Sequence, residues 1–304
     1  MHVSSFPQDD SRDARVPLGD HLLLGPFEAF GARFMLQTPD PALASFLDEL
    51  YRPLRSSGPE AAIVYSLFPP SRDAEGVLKK GQRVIYTSSR RHPLLGSLVW
   101  EINRQVIDGP SRTRLILHAA AAELHGDGVL LPAPMESGKT TLVTGLLDRG
   151  FGYLTDEAVA VADDLMVEGY CKPLSIDAGS WRVLAHHEPE VAPSVRPYMA
   201  DQWQVAVQGF APVINRSSVR LIVFPRYVAG AQLRFEPLSP ASAVRDVFAS
   251  IFVPEGQPVP LDKVRRVCRL VERVPAARLT YSDLGEACER IIVELAGLDD
   301  SRER

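Results

Sequence analysis

One short stretch restricts the fold of this chain more than any other: Ala133-Pro134-Met135-Glu136-Ser137-Gly138-Lys139-Thr140-Thr141. It stands between two apolar runs, Gly128-Val129-Leu130-Leu131-Pro132 before it and Leu142-Val143-Thr144-Gly145-Leu146-Leu147 after it. A strand-like run, then Gly-Lys-Thr, then a helix-like run is the layout of a phosphate loop, G-x-x-x-x-G-K-[ST]. Such a loop enters on a strand and leaves on a helix. Its successive backbone N–H groups curl round an anion while the helix turns its positive N-terminus to it. The lysine reaches the β/γ oxygens, and the hydroxyl after it ligates Mg2+. Ala133 occupies the place of the first glycine; an extended entry tolerates its methyl, whereas a positive φ would strain it. A bare Gly-Lys-Thr also reads as an ordinary helix start with an exposed lysine. Strand, loop and helix together favour phosphate binding and predict an α/β architecture.

Composition removes several alternatives. Of 304 residues, 45% are hydrophobic and 23% charged, enough apolar material for a packed core, so a disordered or fibrous chain is excluded. Lys and Arg number 33 against 38 Asp and Glu, a formal net charge of −5. With no basic blocks, nucleic acid and anionic membrane are not expected partners. The three cysteines, Cys171, Cys268 and Cys288, are far apart and form no C-x-x-C pair, which fits a reducing compartment and gives neither a disulfide framework nor a thiolate zinc site. The N-terminal stretch lacks the apolar core of a signal peptide, and no apolar run approaches the ~18–20 residues of a membrane span. A cytoplasmic location is the expectation.

Periodicity divides the chain into four parts: a frayed segment 1–15, a small α+β domain 16–108, a phosphate-loop domain 109–298 and a solvated tail 299–304. In the first domain, HLLLGPFEAF and ARFMLQT read as strand, turn, strand about Gly25-Pro26. A helix capped by Asp40 follows, with Leu43, Phe46, Leu47 and Leu50 on one face. AAIVYSLF and RVIYTSS are further strands, and HPLLGSLVWEINRQVI a further helix. The turn cluster Asp108-Gly109-Pro110-Ser111 marks the boundary. Beyond it, RLILHAAAAELHG and GVLLPAP form a hairpin around Gly126 to Gly128, and residues 153–177 alternate as strands. Gly179-Ser180-Trp181 opens a helical stretch, and His186 to Pro212 reads as a long loop. Strands at VRLIVFPRY and AQLRFEPL, a helix from Ser239, a second helix LDKVRRVCRLVERV and a strand LTYS precede the most amphipathic helix, which Asp283 caps.

Asp156 and Glu157 lie seventeen and eighteen residues beyond Lys139, at the end of the strand-like run Gly152-Tyr153-Leu154-Thr155. One carboxylate can hold Mg2+ and the other accept the proton of an attacking hydroxyl; a solvated turn pair is the plainer reading of the two residues alone.

The continuous stretch His118, AAAAELHGDGVLLPAPMESGKTTLVTGLLDRGFGYLTDE, resembles the C-terminal catalytic domain of HPr kinase/phosphorylase and its relatives. The order of features is a histidine on a strand, a hairpin, the G-V-L-L strand, the phosphate loop, a helix ending Arg-Gly and a strand ending in paired acids. The likeness extends over about 105–290 and does not include the N-terminal third. It implies a fold related to that of phosphoenolpyruvate carboxykinase and a kinase that uses ATP and Mg2+. On matching positions, Pro134 to Thr141 would hold the nucleotide, with Lys139 on the β/γ phosphates. Thr140 and Glu157 would hold the metal, Glu157 replacing the family's second aspartate with a longer arm. Asp156 would be the general base, with His118 beside it. Lys172 and Arg226 fall near the family's basic positions, Arg226 where an arginine neutralises charge in the transition state.

The acceptor implied first is a serine hydroxyl of a peptide or small protein. A small-molecule alcohol such as a sugar, a polyol or a natural-product intermediate is the alternative. A nucleotide-binding regulatory protein without catalysis is the other class, suggested by Ala133 and Glu157. The HPr-docking signature is not recognisable, and a homo-oligomer is left open. Among the remaining candidates, His186-His187-Glu188 lacks a third ligand at helical spacing and reads as a solvated loop. Trp181 and Trp203 read as anchors or as adenine-stacking rings, and Glu136 within the loop either contacts the acceptor or faces solvent.

Overall fold

The computed structural model describes residues 21–58, 62–134, 137–254 and 256–300. Residues 1–20, which include the segment expected to fray, and 301–304 of the expected tail lie outside these. The chain forms a mixed α/β structure with two large sheets.

The first sheet holds β1 (Leu22–Ala29), β2 (Ala32–Thr38), β3 (Ile63–Phe68), β4 (Gly76–Lys80) and β5 (Arg83–Ser88), in that spatial order. Only β2 and β3 run parallel, because α1 (Pro41–Tyr51) crosses between them. The Asp40 carboxylate accepts from the Ala42 and Leu43 amides at 3.0 and 3.2 Å, and Pro41 needs no donor at the first helical position. Leu43, Leu47 and Leu50 are buried as the stripe predicted, while Phe46 is half-buried. The expected turn at Gly25-Pro26 is instead a register break inside β1, between Leu24 and Phe27. The chain reverses at Phe30-Gly31, both with positive φ. Strand β4 was hidden in a polar stretch, since it carries two lysines and is recognisable only by its partners β3 and β5. Helix α2 (Arg91–Asp108) lies against β4 and β5.

The second sheet begins with β6 (Leu115–Leu124) and β7 (Asp127–Pro132). Their loop is His125-Gly126 alone, with φ of 54° and 93°, the pair of left-handed residues that matches strand twist; Asp127 and Gly128 already belong to the strand. In β6, Ile116, Ala120 and Ala122 enter one core while Leu115, Leu117, Ala119 and Ala121 enter another. A strand covered on both faces reads as a continuous apolar run, which is what LHAAAA is. After α3 (Lys139–Leu147) come β8 (Gly152–Thr155), β9 (Ala158–Val161) and β10 (Met166–Gly169). A two-stranded ribbon follows, β11 (Leu174–Asp177) with β12 (Gln202–Val205). Next are β13 (Arg216–Tyr227), β14 (Arg234–Pro237), α4 (Pro240–Phe248), α5 (Leu261–Arg273), β15 (Ala276–Tyr281) and α6 (Leu284–Asp300), the last running two residues into the expected tail.

The large sheet is ordered β10-β9-β6-β7-β13-β15-β14, with β8 also on β6, and β10 pairs again with the start of β13, so the sheet curls back on itself. Strands β7, β13 and β15 are parallel, so their carboxyl ends share one edge. Helices α3 and α6 cover one face, and α4 and α5 the other. The buried cluster under α3 is continuous with the core of the first sheet, joining Phe34 and Leu43 to Leu142 and Leu146. Two expectations for the segment after β11 fail. Residues 178–187 form short 3-10 turns rather than a helix, and the expected loop His186 to Pro212 contains β12 and the buried Tyr198, Met199 and Trp203. Pairing with β11 orders it, and β11 is not its neighbour in sequence. Among the described residues, no helix is long and apolar enough to cross a membrane.

Candidate functional site

The stretch from Ala133 to Thr141 lies at the carboxyl edge of the parallel strands. Gly138 adopts φ 87° immediately before α3. A Cβ built there would stand 3.0 Å from the Tyr281 hydroxyl and 3.5 Å from Tyr227 Cβ, so glycine is required twice over. These two tyrosines end β15 and β13, which places the loop where ligands gather in open α/β sheets. Ala133 keeps an ordinary backbone, since the only described non-glycine residues with positive φ are Phe30, His125 and Leu165. The alanine at the glycine position therefore costs no strain. Among the described residues, no side chain caps α3, which leaves its first amides without a side-chain partner there. Ser137 Oγ is buried and has no hydrogen-bond partner among the described residues. Met135 and Glu136 lie outside the described residues.

Lys139 is 6% exposed and folds back on the loop, donating to the Ala133 carbonyl at 2.9 Å and the Pro134 carbonyl at 2.7 Å. Thr140 Oγ1 donates to Asp156 Oδ2 at 3.2 Å. Asp156 is nearly buried and sits just past β8. Its Oδ1 faces Lys172 Nζ at 2.7 Å and accepts from the Tyr153 hydroxyl at 3.0 Å, and its Oδ2 also accepts from the Ser175 amide at 3.3 Å. Lys172 donates further to the Pro173 carbonyl and to Ser175 Oγ, at 2.9 and 3.1 Å. A chain of polar groups continues outward, Ser175 to Gln204 at 3.1 Å and Gln204 to Gln202 at 2.6 Å. Glu157 lies one residue on, with its carboxylate 3.9 Å from His118 Nε2.

The electrostatics follow from burial. Loss of water lowers the Lys139 ammonium to about 8, against the opposing pull of Glu157 and Asp156. Burial also raises Glu157 above the usual carboxylate range, with Lys172 pulling it down. His118 is lowered to about 4, first by burial and then by the positive charge of Lys139, so its ring is neutral near pH 7. The Tyr153 phenol is pushed well up by burial and by the charge on Asp156, which keeps it a donor. Perturbed groups gathered at one spot are common at functional sites, and buried ion-pair networks produce them as well.

Of the residues expected at the site, the fold brings together His118, Lys139, Thr140, Asp156, Glu157 and Lys172. Lys172 arrives as the partner of Asp156. Thr141 turns aside, its hydroxyl 2.6 Å from Ser180 Oγ. Arg226 stays exposed near the end of β13, and among the described residues the ion-pair partners of Asp156 and Glu157 are Lys172 and His118. Strand alternation sets Arg226 with Phe224 on the face opposite Tyr227. Trp181 and Trp203 stack on each other, centroids 4.8 Å apart, and Trp181 is held by the Ile176 carbonyl at 3.1 Å, so they serve as anchors. Tyr153, Ser175 and Gln204 escaped the sequence reading. Tyr153 carried one signal, a position two residues before Thr155 on an inward face, but nothing local marks Gln204.

No family model matches the chain, and no curated protein matches it. Among solved structures, the chain is similar to the Hpr(Ser) kinase/phosphatase from Coxiella burnetii, with 15% sequence identity and a TM-score of 0.32, over 59% of this chain and 94% of that one.

Proposed function

We propose that this chain is an ATP- and Mg2+-dependent phosphotransferase that moves the γ-phosphoryl group to a hydroxyl, a serine of a peptide or small protein being the acceptor class. The observation that carries the reading is the Thr140 hydroxyl 3.2 Å from the Asp156 carboxylate at the start of α3. The residues fit a magnesium-bound nucleotide. The first amides of α3 and the Ser137 hydroxyl are donors suited to phosphate oxygens, and Thr140 and Glu157 offer hard oxygen ligands beside Asp156. Mg2+, when bound, neutralises charge on the phosphates. Lys139 leaves the carbonyls of its own loop to meet the β/γ oxygens. Asp156 takes the proton of the acceptor hydroxyl as that oxygen bonds to phosphorus and the bridging P–O bond breaks. His118, kept neutral, orients Glu157.

A second reading is a nucleotide-binding regulatory protein without transfer. One observation favours it: Asp156 already accepts from Lys172, Tyr153, Thr140 and Ser175, which leaves its oxygens engaged.

Calorimetric titration of Mg-ATP into the wild type and Lys139→Ala, with γ-phosphoryl transfer to serine peptides and polyols followed in Asp156→Asn, separates these. The phosphotransferase reading expects binding that vanishes in Lys139→Ala, and an Asp156→Asn chain that binds but does not transfer. Absence of binding in the wild type ends both readings. Binding with no transfer to any acceptor selects the second, and transfer surviving Asp156→Asn removes Asp156 as the base.

A further inference from the structure

The His186-His187 pair gains in three dimensions the third ligand that it lacks in sequence. Asp148 closes the C-terminal end of α3, and its Oδ2 lies 3.0 Å from His186 Nε2 while its Oδ1 lies 2.7 Å from His187 Nε2. The three ligand atoms fall within 4.8 Å of one another, and the two imidazole rings lie 4.2 Å apart. Glu188, the third member of the sequence cluster, turns away to Arg196 at 2.7 Å.

Among the described residues, no cationic side chain pairs with the Asp148 carboxylate. The end of a helix is the negative pole of its dipole and disfavours an aspartate. The adjacent Arg149 does not come to its aid, for it binds Glu289 at 3.2 Å and the Gly145 carbonyl at 2.9 Å. Among the described residues, the two histidines are the only side chains on Asp148. Two imidazole nitrogens and one carboxylate oxygen are the donor set of zinc and its neighbours in the first transition row, whereas Mg2+ and Ca2+ take oxygen alone. The inner side of the cluster is firm: the His187 side chain is 7% exposed and its ring lies 4.3 Å from Phe210. The outer side is open, with His186 59% exposed, so a water can take the fourth position of a tetrahedron.

We propose that Asp148, His186 and His187 form a site for a divalent first-row transition metal, with zinc as the preferred ion. It would tie the segment after β11 to the far end of α3, whose near end the same segment already meets through Ser180 and Thr141. The site is independent of the nucleotide reading, since it uses no residue of the phosphate loop.

The test is a titration of the chelator-stripped full chain with Zn2+ alone, read by competition with a chromophoric chelator, and with Co2+, read by its ligand-field absorption. We expect one equivalent bound with tetrahedral Co2+ bands. Asp148→Asn and His186→Ala should each weaken binding by more than the about tenfold to hundredfold that losing a supporting partner costs. His186 is exposed, so His186→Ala should keep the wild-type circular dichroism and its metal-free Tm, and only its zinc-dependent rise in Tm should vanish. The proposal is overturned if the wild type binds no more zinc than the two variants, or if a tight equivalent persists in both.

Discussion

Around the five-stranded sheet the ion pairs keep contact with water, from Arg33 and Glu28 at 17% and 33% exposure to Arg52 and Glu49 at 56% and 41%. Beside the eight-stranded sheet, Lys172 and Asp156 pair at 1% and 2% exposure. The first arrangement costs little and contributes little, because solvent screens it. The second removes two charges from water, a penalty that attraction and hydrogen bonds barely offset. A chain gains no clear stability by burying such a pair, so its presence beside Lys139, Thr140 and Glu157 points to a task for the charges. The two regions share one apolar core, and their difference lies in the polar groups set into it. The five-stranded sheet gathers no comparable cluster of buried charges among the described residues.

The largest effect expected is that of Lys172→Met, which leaves Asp156 charged and buried and should cost about 3–5 kcal/mol in urea denaturation. An effect near that of an exposed pair would break the comparison. The next is the acid limb of the stability curve. His118 has a folded value of about 4 against an ordinary 6.5, so between those values the unfolded chain binds a proton that the native chain refuses. Stability should therefore fall as pH drops from 6.5 towards 4, by on the order of 3 kcal/mol in all, and His118→Gln should flatten that limb. Gly138→Ala should cost about 1–2 kcal/mol for its left-handed backbone and displace Tyr281. Its sharper readout is lost nucleotide affinity, which a merely structural glycine in the first sheet would not affect. Smallest is Arg52→Ala, at about 0–1 kcal/mol; a larger loss would show that the exposed pair carries weight after all.

Local chemistry was legible wherever a short segment decides its own shape. Asp40 and Pro41 announce α1. Asp283, whose carboxylate accepts from the Glu286 amide at 2.9 Å, announces α6. Gly138-Lys139-Thr140 between two apolar runs announces a loop entering a helix. The failures share a cause. Gly25-Pro26 looks like a turn until β2 pairs along both sides of it. Segments β4 and β12 carry lysines and glutamines in place of an apolar pattern and become strands only because β3, β5 and β11 supply partners.

The sequence by itself determined the α/β class, the caps and the strand–loop–helix order around Gly138, because these rest on dihedral preference and on periodicities of two and 3.6 residues. Only the tertiary structure decided which groups meet. It sent Lys172 to Asp156, left Arg226 outside, seated Ala133 without strain and carried Asp148 to two histidines nearly forty residues away. Spacing along a chain holds no record of such meetings, since they arise where burial takes charged groups out of water and leaves them only one another to bind.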